Sequence, residues 1–290
     1  MLNKMPLPSV GQLWRDLQKK LDESDINPAP REGKMILAHA LGCQIEDLLL
    51  CEDAFVTNDV YRQTQSLLKR RQTKEPLGYV LGRAPFWKQD WIVRSGVLIP
   101  RPDSEILIAE VLKEREKNLS ILEVGTGSGA LLASILQERP TWYGTGLENN
   151  PIARACSEEN LSSYIPRTRF NLLDSIDDLE QTPLSFSIIF TNPPYISEEE
   201  FENLDECVKD HEPKSALTGE KDNPTGLTYY TDWIPRLKNM LVPHGLLAME
   251  IGHTQAAEVQ NLFLLNGFSQ IVIIEDIAGR PRVVKGYNIR

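Results

Sequence analysis

The stretch Glu123-Val124-Gly125-Thr126-Gly127-Ser128-Gly129-Ala130 decides the fold of this 290-residue chain. It follows an apolar strand predicted over residues 119–124 and opens a helix predicted over residues 130–137. Glycine permits a tight turn and lets a ligand approach the backbone, and the free amides of a helix N-terminus face that ligand. The pattern therefore predicts the first strand-turn-helix unit of an open α/β sheet, with a ligand at the turn.

Strands and helices alternate in the rest of the chain beyond this turn. Predicted strands cover residues 142–147, 169–172, 186–190, 246–251, 271–274 and 283–287, and predicted helices cover 151–160, 229–241 and 255–265. The fourth strand of the series, 186–190, is aliphatic enough to be buried on both faces. Such alternation predicts an α/β fold in which helices cover both faces of a mostly parallel sheet.

The region before the sheet has a different pattern. Leu13, Leu17 and Leu21 recur at helical spacing, and further apolar pairs at 36–37 and 67–68 predict additional helices. We therefore predict a small N-terminal helical bundle over residues 1–75, a linker with a β-hairpin over 76–102, and the α/β domain over 103–290. Asp103 is predicted to cap the helix that follows the linker.

Composition narrows the class of protein. The chain is 41% hydrophobic and 25% charged, as globular proteins are, and its net charge of −10 argues against a large nucleic-acid surface. The four cysteines lack Cys-x-x-Cys or histidine spacing, so no metal site is expected. No export signal and no apolar run long enough to span a membrane is found, so a cytoplasmic location is expected.

The glycine-rich turn fits two nucleotide-like ligands. With Ala130 as the final small residue it satisfies the dinucleotide fingerprint, and Glu148 after the next strand can accept both ribose hydroxyls. S-adenosylmethionine is favoured because the third glycine follows the second closely and Glu123 suits a cationic ammonium group. A dehydrogenase is disfavoured because no Tyr-x-x-x-Lys pair is present. The predicted cofactor-binding residues of this region are Glu123, Gly125, Thr126, Gly127, Ser128, Gly129 and Glu148.

A second motif, Asn192-Pro193-Pro194-Tyr195, directly follows the strand predicted over residues 186–190 and Thr191. Consecutive prolines make the turn rigid and leave its carbonyl groups free. Amide nitrogens are poor nucleophiles, and a site that accepts both N–H groups, from the Asn192 side chain and the Pro193 carbonyl, can aim the lone pair at a methyl donor. Tyr195 can stack on a planar substrate group. We predict Asn192 and Pro193 as catalytic and all four residues as substrate-binding.

These motifs together resemble the Rossmann-like class I methyltransferases that modify planar amide or amine nitrogens. More closely, the chain resembles the HemK-type release factor glutamine methyltransferases. The likeness extends to the segments that surround the two motifs: Ile99-Pro100-Arg101-Pro102-Asp103-Ser104-Glu105, Glu212-Pro213, Ala216-Leu217 and Met249-Glu250-Ile251-Gly252 with Gln255. After Leu217, this sequence has a longer turn than is usual in the family.

The resemblance implies a fold, a cofactor and a substrate. It implies a mostly parallel sheet with a C-terminal antiparallel strand, and S-adenosylmethionine bound also by Asp174, Ser175 and Asn192. It implies methylation of the glutamine in the Gly-Gly-Gln motif of class 1 peptide chain release factors, which the helical N-terminal region would grip. Neither a membrane nor a sequence-specific nucleic acid is an expected partner.

Alternatives of other classes remain. A sister family methylates a glutamine of a ribosomal protein, and adenine-specific nucleic-acid methyltransferases use nearly the same chemistry on a flipped base. The second alternative requires a basic recognition region, whereas residues 1–90 are nearly balanced in charge. A catalytically silent binding module is a third.

Overall fold

A computed structural model describes residues 6–164, 166–170, 176–181 and 184–289. The chain divides into two compact units, Met1–Gly82 and Arg83–Arg290. No helix in the part of the chain so described is long and apolar enough to cross a membrane.

The first unit is helical, as predicted. Its elements are α1 (Val10–Asp22), α2 (Ala29–Leu41), a 3₁₀ turn (Ile45–Leu49), α3 (Asn58–Gln72) and α4 (Leu77–Leu81). Ser9 and Gln12 form a capping box that starts α1, and Gly42 in the left-handed region ends α2. Leu13, Leu17 and Leu21 are buried in the core of this unit, because they share one helix face.

The second unit begins with a hairpin and continues as an α/β sheet. The hairpin pairs β1 (Arg83–Phe86) with β2 (Gln89–Ile92), and a 3₁₀ turn (Pro102–Ser104) precedes α5 (Glu105–Val111). The sheet strands are β3 (Ser120–Val124), β4 (Tyr143–Leu147), β5 (Thr168–Phe170), β6 (Phe186–Thr191), β7 (Leu241–Glu250), β8 (Phe268–Glu275) and β9 (Pro281–Asn288). The helices between them are α6 (Ala130–Glu138), α7 (Pro151–Leu161), α8 (Ile176–Glu180), α9 (Glu198–Glu202), α10 (Glu206–Lys209), α11 (Lys214–Leu217), α12 (Thr228–Asn239) and α13 (Ala256–Leu265).

In the part of the chain that the structure describes, these strands form one seven-stranded sheet in the order β5-β4-β3-β6-β7-β9-β8. β9 runs antiparallel to both of its neighbours, and the pairs from β5 to β7 are parallel. Two buried apolar clusters cover the two faces of this sheet. The predicted fold class, including the antiparallel C-terminal strand, is confirmed.

Strand register brings the functional motifs to one edge of the sheet. Val124 at the end of β3 pairs with Leu147 of β4 and with Thr191 of β6. The residues that follow these three strands therefore emerge together at their carboxyl ends, where open α/β sheets bind ligands.

One local prediction is wrong. Asp103 does not cap the helix; the residue before α5 is Ser104, and its side chain makes no capping hydrogen bond. Asp103 lies inside the preceding 3₁₀ turn, and its carboxylate pairs with Arg282 at 2.8 Å. Because the 3₁₀ turn includes Ser104, α5 begins one residue later than a cap at Asp103 would place it. The Asp103 carboxylate therefore pairs with Arg282 of β9 instead of with backbone amides of the helix.

Candidate active site

The glycine-rich turn leaves β3 with an open surface above it. Gly125, Gly127 and Gly129 have φ angles of 72°, 55° and 79°, in the region that disfavours residues with a Cβ. A Cβ on Gly125 or Gly127 would meet nothing within 4 Å, whereas one on Gly129 would lie 3.0 Å from Ser157 and Leu161 of α7. The first two glycines thus leave room for a ligand, and the third allows α6 and α7 to pack closely.

Glu148 lies across from this turn at the end of β4. Its carboxylate accepts the backbone amide of Gly127 at 2.7 Å and that of Asn150 at 2.8 Å. Burial raises the pKa of Glu148 above its ordinary value, although these amide hydrogen bonds and Arg154 oppose the shift. The carboxylate is therefore fixed at the cavity wall, where it can accept hydroxyl groups.

Other residues of the turn do not reach the cavity. Glu123 is buried beneath the loop and accepts the Leu132 amide at 3.2 Å, and burial raises its pKa well above the ordinary value. The Thr126 hydroxyl is directed to the backbone carbonyl of Leu147 at 3.3 Å, and the Ser128 hydroxyl accepts the amide of Ala130. These three side chains brace the loop, while Gly125, Gly127 and Glu148 form the surface next to the cavity.

Asn192 and Pro194 of the second motif line the same cavity. Asn192 Nδ2 donates to the Ser104 hydroxyl at 3.2 Å, so the amide is held from the side of α5. Pro193 is buried and lies outside the cavity lining.

The Tyr195 ring is half-buried beside the core, and its hydroxyl donates to Glu250 at 3.3 Å. Burial and the nearby Glu250 raise the Tyr195 pKa, so the phenol stays protonated.

The extended loop after Leu217 braces the Asn-Pro-Pro-Tyr turn. Asn223 is fully buried and donates to the carbonyls of Pro194 and Thr218 at 3.3 and 3.1 Å. Gln255 Nε2 donates to the Tyr195 carbonyl at 3.0 Å, and a Cβ on Gly226 would lie 2.2 Å from that oxygen. This loop therefore packs directly on the backbone of the turn and keeps it in one conformation.

The cavity has a volume of about 320 Å³, within the size range of small-molecule sites. Residues that the sequence analysis did not assign a binding role complete its walls. They are Gly96 and Leu98 before the 3₁₀ turn, Pro213, Ser215 and Ala216 around α11, and Tyr229, Trp233 and Arg236 of α12. The Tyr229 and Trp233 rings pack edge to face at 5.1 Å, a preferred arrangement of aromatic pairs.

A buried carboxylate joins two segments of this wall. Glu212 accepts the Arg101 guanidinium at 2.6 Å and the Ile99 amide at 3.2 Å. Its side chain is 1% exposed, so the charge is balanced by a partly buried arginine. The contact fixes residues 98–101 against residues 212–216, which gives Arg101 a structural role at the wall.

Two predicted cofactor residues, Asp174 and Ser175, lie outside the described residues. The residues that follow them, Ile176 and Asp177, line the cavity. Among the described residues, no cluster of His, Cys, Asp or Glu could hold a metal ion.

Comparisons with known proteins agree with this architecture. The PrmC N-terminal domain family matches residues 12–82, and the methyltransferase small domain family matches residues 102–210. A crystal structure of a methyltransferase from Pyrococcus furiosus is 15% identical, covers 79% of this chain and 98% of its own, and superposes with a TM-score of 0.50, which supports the fold alone. Fold and site together define the class of Rossmann-like methyltransferases, which use S-adenosylmethionine.

Full-length relatives specify the family. The release factor glutamine methyltransferase of Caulobacter vibrioides is 32% identical over 96% of this chain and 96% of its own length. That of Thermodesulfovibrio yellowstonii is 35% identical over 88% of this chain and 91% of its own. The chain belongs to the release factor glutamine methyltransferase family.

Proposed function

We propose that this protein transfers a methyl group from S-adenosylmethionine to the side-chain amide nitrogen of the glutamine in the Gly-Gly-Gln motif of class 1 peptide chain release factors. The observation that carries the proposal is the position of the Asn192 amide on the same cavity wall as Gly125, Gly127 and Glu148. The side chain that can bind the target amide and the glycine-rich turn that can bind the cofactor thus line one cavity. Because release factors act on the ribosome, the reaction takes place in the cytoplasm.

The residues at the cavity fit S-adenosylmethionine. Gly125 and Gly127 leave the space next to the loop free of side chains, so the methionine part of the cofactor can approach the backbone. Glu148 has two carboxylate oxygens that can accept the ribose hydroxyls. Asp174 and Ser175 are assigned to the adenine, and Glu123 acts through the loop that it braces. When bound, the cofactor supplies a methyl group on a positively charged sulfur.

Asn192 and Pro193 make the target amide nitrogen reactive. The Asn192 oxygen accepts one N–H of the target glutamine. The Pro193 carbonyl, which belongs to the turn between the two lining residues Asn192 and Pro194, is assigned to accept the other. Both contacts turn the nitrogen lone pair toward the methyl group and stabilise the positive charge that develops on the nitrogen. With S-adenosylmethionine held by the glycine turn and Glu148, the nitrogen would form its N–C bond as the S–C bond of the cofactor broke, and would then lose one proton to solvent. Tyr195 packs against the planar amide.

The helical unit is assigned to recognition of the protein substrate. A glutamine with its two glycine neighbours has little surface of its own, so specificity for one protein requires contacts elsewhere. The first unit has its own buried core, and the family match to residues 12–82 assigns it to this enzyme family. We assign residues 1–75 this docking role.

Mass spectrometry tests the proposed function directly. The full-length protein is incubated with labelled S-adenosylmethionine and a class 1 release factor from the same organism, and the methylated residue is mapped. The expected product carries one methyl group on the Gly-Gly-Gln glutamine, and a release factor with Gln→Ala at that position is the control. Label on ribosomal protein or on adenine of DNA, with none on the release factor, would contradict the proposal.

A further inference from the structure

The Asn192 amide is oriented by a serine outside the Asn-Pro-Pro-Tyr turn. Asn192 Nδ2 donates to Ser104 Oγ at 3.2 Å, and Ser104 is 1% exposed. An amide nitrogen can only donate, so this contact determines which end of the amide remains free to accept. Ser104 precedes α5 but makes no capping hydrogen bond, so its hydroxyl oxygen does not accept a backbone amide of the helix and is available to Asn192.

A buried carboxylate lies next to the same serine. Met249 of β7 pairs in register with Thr191 of β6, so Glu250 and Asn192 leave neighbouring strands side by side. Glu250 is 1% exposed, and its Oε1 accepts the Tyr195 hydroxyl at 3.3 Å. Its Oε2 has no hydrogen-bond partner among the described residues. A buried carboxylate oxygen without a partner is costly. The Ser104 hydroxyl, which interacts with the Glu250 side chain and lowers its pKa, is a donor that can satisfy this oxygen.

We propose that Ser104 and Glu250 are positioning residues of the methyl-transfer site: Ser104 donates its proton to Glu250 Oε2 and accepts Asn192 Nδ2, so that Asn192 Oδ1 points at the target nitrogen. Because an ionised carboxylate can only accept, Glu250 sets the direction of every hydrogen bond in this chain. It also holds Tyr195 through Oε1, so one carboxylate fixes two residues of the motif. The proposal rests on the proposed role of Asn192 in amide methylation.

The charge of Glu250 is sensitive to pH near neutrality. Burial raises its pKa to about 7, while the Ser104 and Tyr195 hydroxyls and Arg282 lower it and Asp103 raises it. Tyr230, whose hydroxyl donates to the Glu250 backbone carbonyl at 2.9 Å, is the other titratable group facing it. When Glu250 takes up a proton it becomes a donor, which competes with Asn192 for the Ser104 oxygen. The rate of methyl transfer is therefore expected to rise with pH through about 7.

Substitutions of Ser104 test the positioning role by kinetics. Ser104→Ala is expected to lower kcat about 10- to 100-fold, the cost of a misplaced reacting group. The KM for the release factor and the affinity for S-adenosylhomocysteine stay unchanged. Ser104→Thr keeps the hydroxyl and restores most of the rate. Ser134→Ala is the matched control, because Ser134 is also buried and its hydroxyl has no partner among the described residues.

Glu250→Gln tests the direction of the hydrogen-bond chain. Glutamine has nearly the same shape but no titratable group, so the fall in kcat between pH 8 and pH 6 in the wild type is absent from the variant. At pH 8 the variant is slower than the wild type, because its amide can present a donor to Ser104. The proposal is overturned if Ser104→Ala has the kcat of the wild type. It is also overturned if kcat of Glu250→Gln falls between pH 8 and pH 6 as it does in the wild type.

A measurement without turnover separates this proposal from the proposed function. The Asn192 side-chain amide is observed by NMR in asparagine-labelled protein and assigned as the pair of signals that Asn192→Asp removes. Its signals are expected to shift with pH through about 7 in the wild type and to stay constant in Glu250→Gln. If these signals titrate but no release factor is methylated, the proposed function fails and the hydrogen-bond chain stands. If the enzyme is active and the signals do not respond, the positioning role is wrong.

Discussion

Asn192 is the residue on which the proposed chemistry depends most. Its amide is the only side-chain group of the Asn-Pro-Pro-Tyr turn that can accept an N–H at the cavity, because two of the four residues are prolines and the Tyr195 hydroxyl is directed to the buried Glu250, outside the cavity lining. The Pro193 carbonyl belongs to the backbone, so no substitution of a side chain removes it. A substitution of Asn192 therefore removes one of the two proposed hydrogen bonds to the target amide and leaves the other.

Asn192→Ala is expected to fold and to bind S-adenosylhomocysteine, yet lose about 10²–10³ in kcat, the range for removing one preorganised polar group at developing charge. Asn192→Asp keeps an acceptor and should retain part of the activity. Single-turnover rates on a glutamine peptide and calorimetric binding are the measurements. Near-normal turnover in Asn192→Ala would contradict the proposal that this side chain orients the target amide nitrogen.

Glu148 is the residue to which we assign the main contact with the ribose of the cofactor. Glu148→Ala removes the acceptor for the ribose hydroxyls and leaves the Gly127 amide without its 2.7 Å partner. Binding of S-adenosylhomocysteine should weaken by about 1–3 kcal/mol, the cost of unpaired buried polar groups, and NAD should not bind to either protein. Calorimetric titration measures both affinities. Glu158→Ala, an exposed glutamate of α7, is the control, and equal affinities in the two variants would argue against the assignment.

Glu250 should also be visible in the dependence of stability on pH. Its folded pKa of about 7 lies above the ordinary 4.5, so the folded state binds the proton more tightly than the unfolded state. The free energy of unfolding therefore falls as the pH rises from 4.5 to 7, because the buried carboxyl group has to ionise. Above pH 7 the loss is complete and stays constant. Glu250→Gln removes it, and the gain in free energy of unfolding at pH 8 is about 1–3 kcal/mol after lost hydrogen bonds are subtracted. Urea unfolding should show a larger gain at pH 8 than at pH 5, because only part of the loss is present at pH 5.

The glycine turn between β3 and α6 combines two different requirements for glycine. Gly125 and Gly129 have similar φ angles of 72° and 79°, but only Gly129 packs against another helix. A matched pair of alanine substitutions can therefore separate backbone strain from close packing. The same pair separates a residue on the ligand side of the turn from one on the core side.

Gly129→Ala is expected to lower the free energy of unfolding by about 2–4 kcal/mol, from backbone strain together with overpacking against α7. Gly125→Ala carries only the strain, about 1 kcal/mol, but should weaken binding of S-adenosylhomocysteine because its Cβ enters the cavity. Thermal unfolding and calorimetric titration measure both effects. Equal loss of stability in the two variants would contradict the packing role of Gly129.

The regular elements were predictable because their signals are local. The strand predicted over 186–190 is β6, and the helix predicted over 151–160 is α7, extended by one residue. β7 departs furthest from its prediction, because it begins at Leu241 rather than at 246. Pro243, Gly245 and the positive φ of His244 interrupt its apolar pattern, and the pairing with β6 shifts register there. Because the apolar pattern is interrupted, the sequence predicts a helix that runs to residue 241 and a strand that begins only at 246.

The site was predictable only where a motif directly follows a strand. Gly125 and Asn192, which line the cavity, were predicted as site residues this way, because the carboxyl ends of parallel strands meet. Ser104 and Asn223 had no such signal, since each reaches the turn from a separate segment through a tertiary contact. Glu123 was identified as a ligand for a cation, but its carboxylate lies under the loop, so charge type alone did not indicate which side of the backbone it faces.

The division of the chain into two compact units allows the two proposed tasks, catalysis and docking, to be tested separately. The first unit has a core of its own, and a buried ion pair between Arg71 and Glu32, with a 2.6 Å contact, joins α3 to α2 inside it. All residues that line the cavity belong to the second unit. Catalysis and recognition of the intact substrate are therefore expected to be separable by truncation after Gly82.

Deletion of residues 1–82 is expected to leave binding of S-adenosylhomocysteine intact and to abolish methylation of the intact release factor. The cofactor site lies wholly in Arg83–Arg290, and loss of docking removes the binding energy that brings the glutamine to Asn192. A short peptide with the Gly-Gly-Gln sequence is the control substrate, because it has no surface for the first unit to grip. The full-length and truncated proteins should methylate this peptide at the same low rate, measured by transfer of label. Truncated protein that modifies the intact release factor at the full rate would show that the helical unit has no docking role.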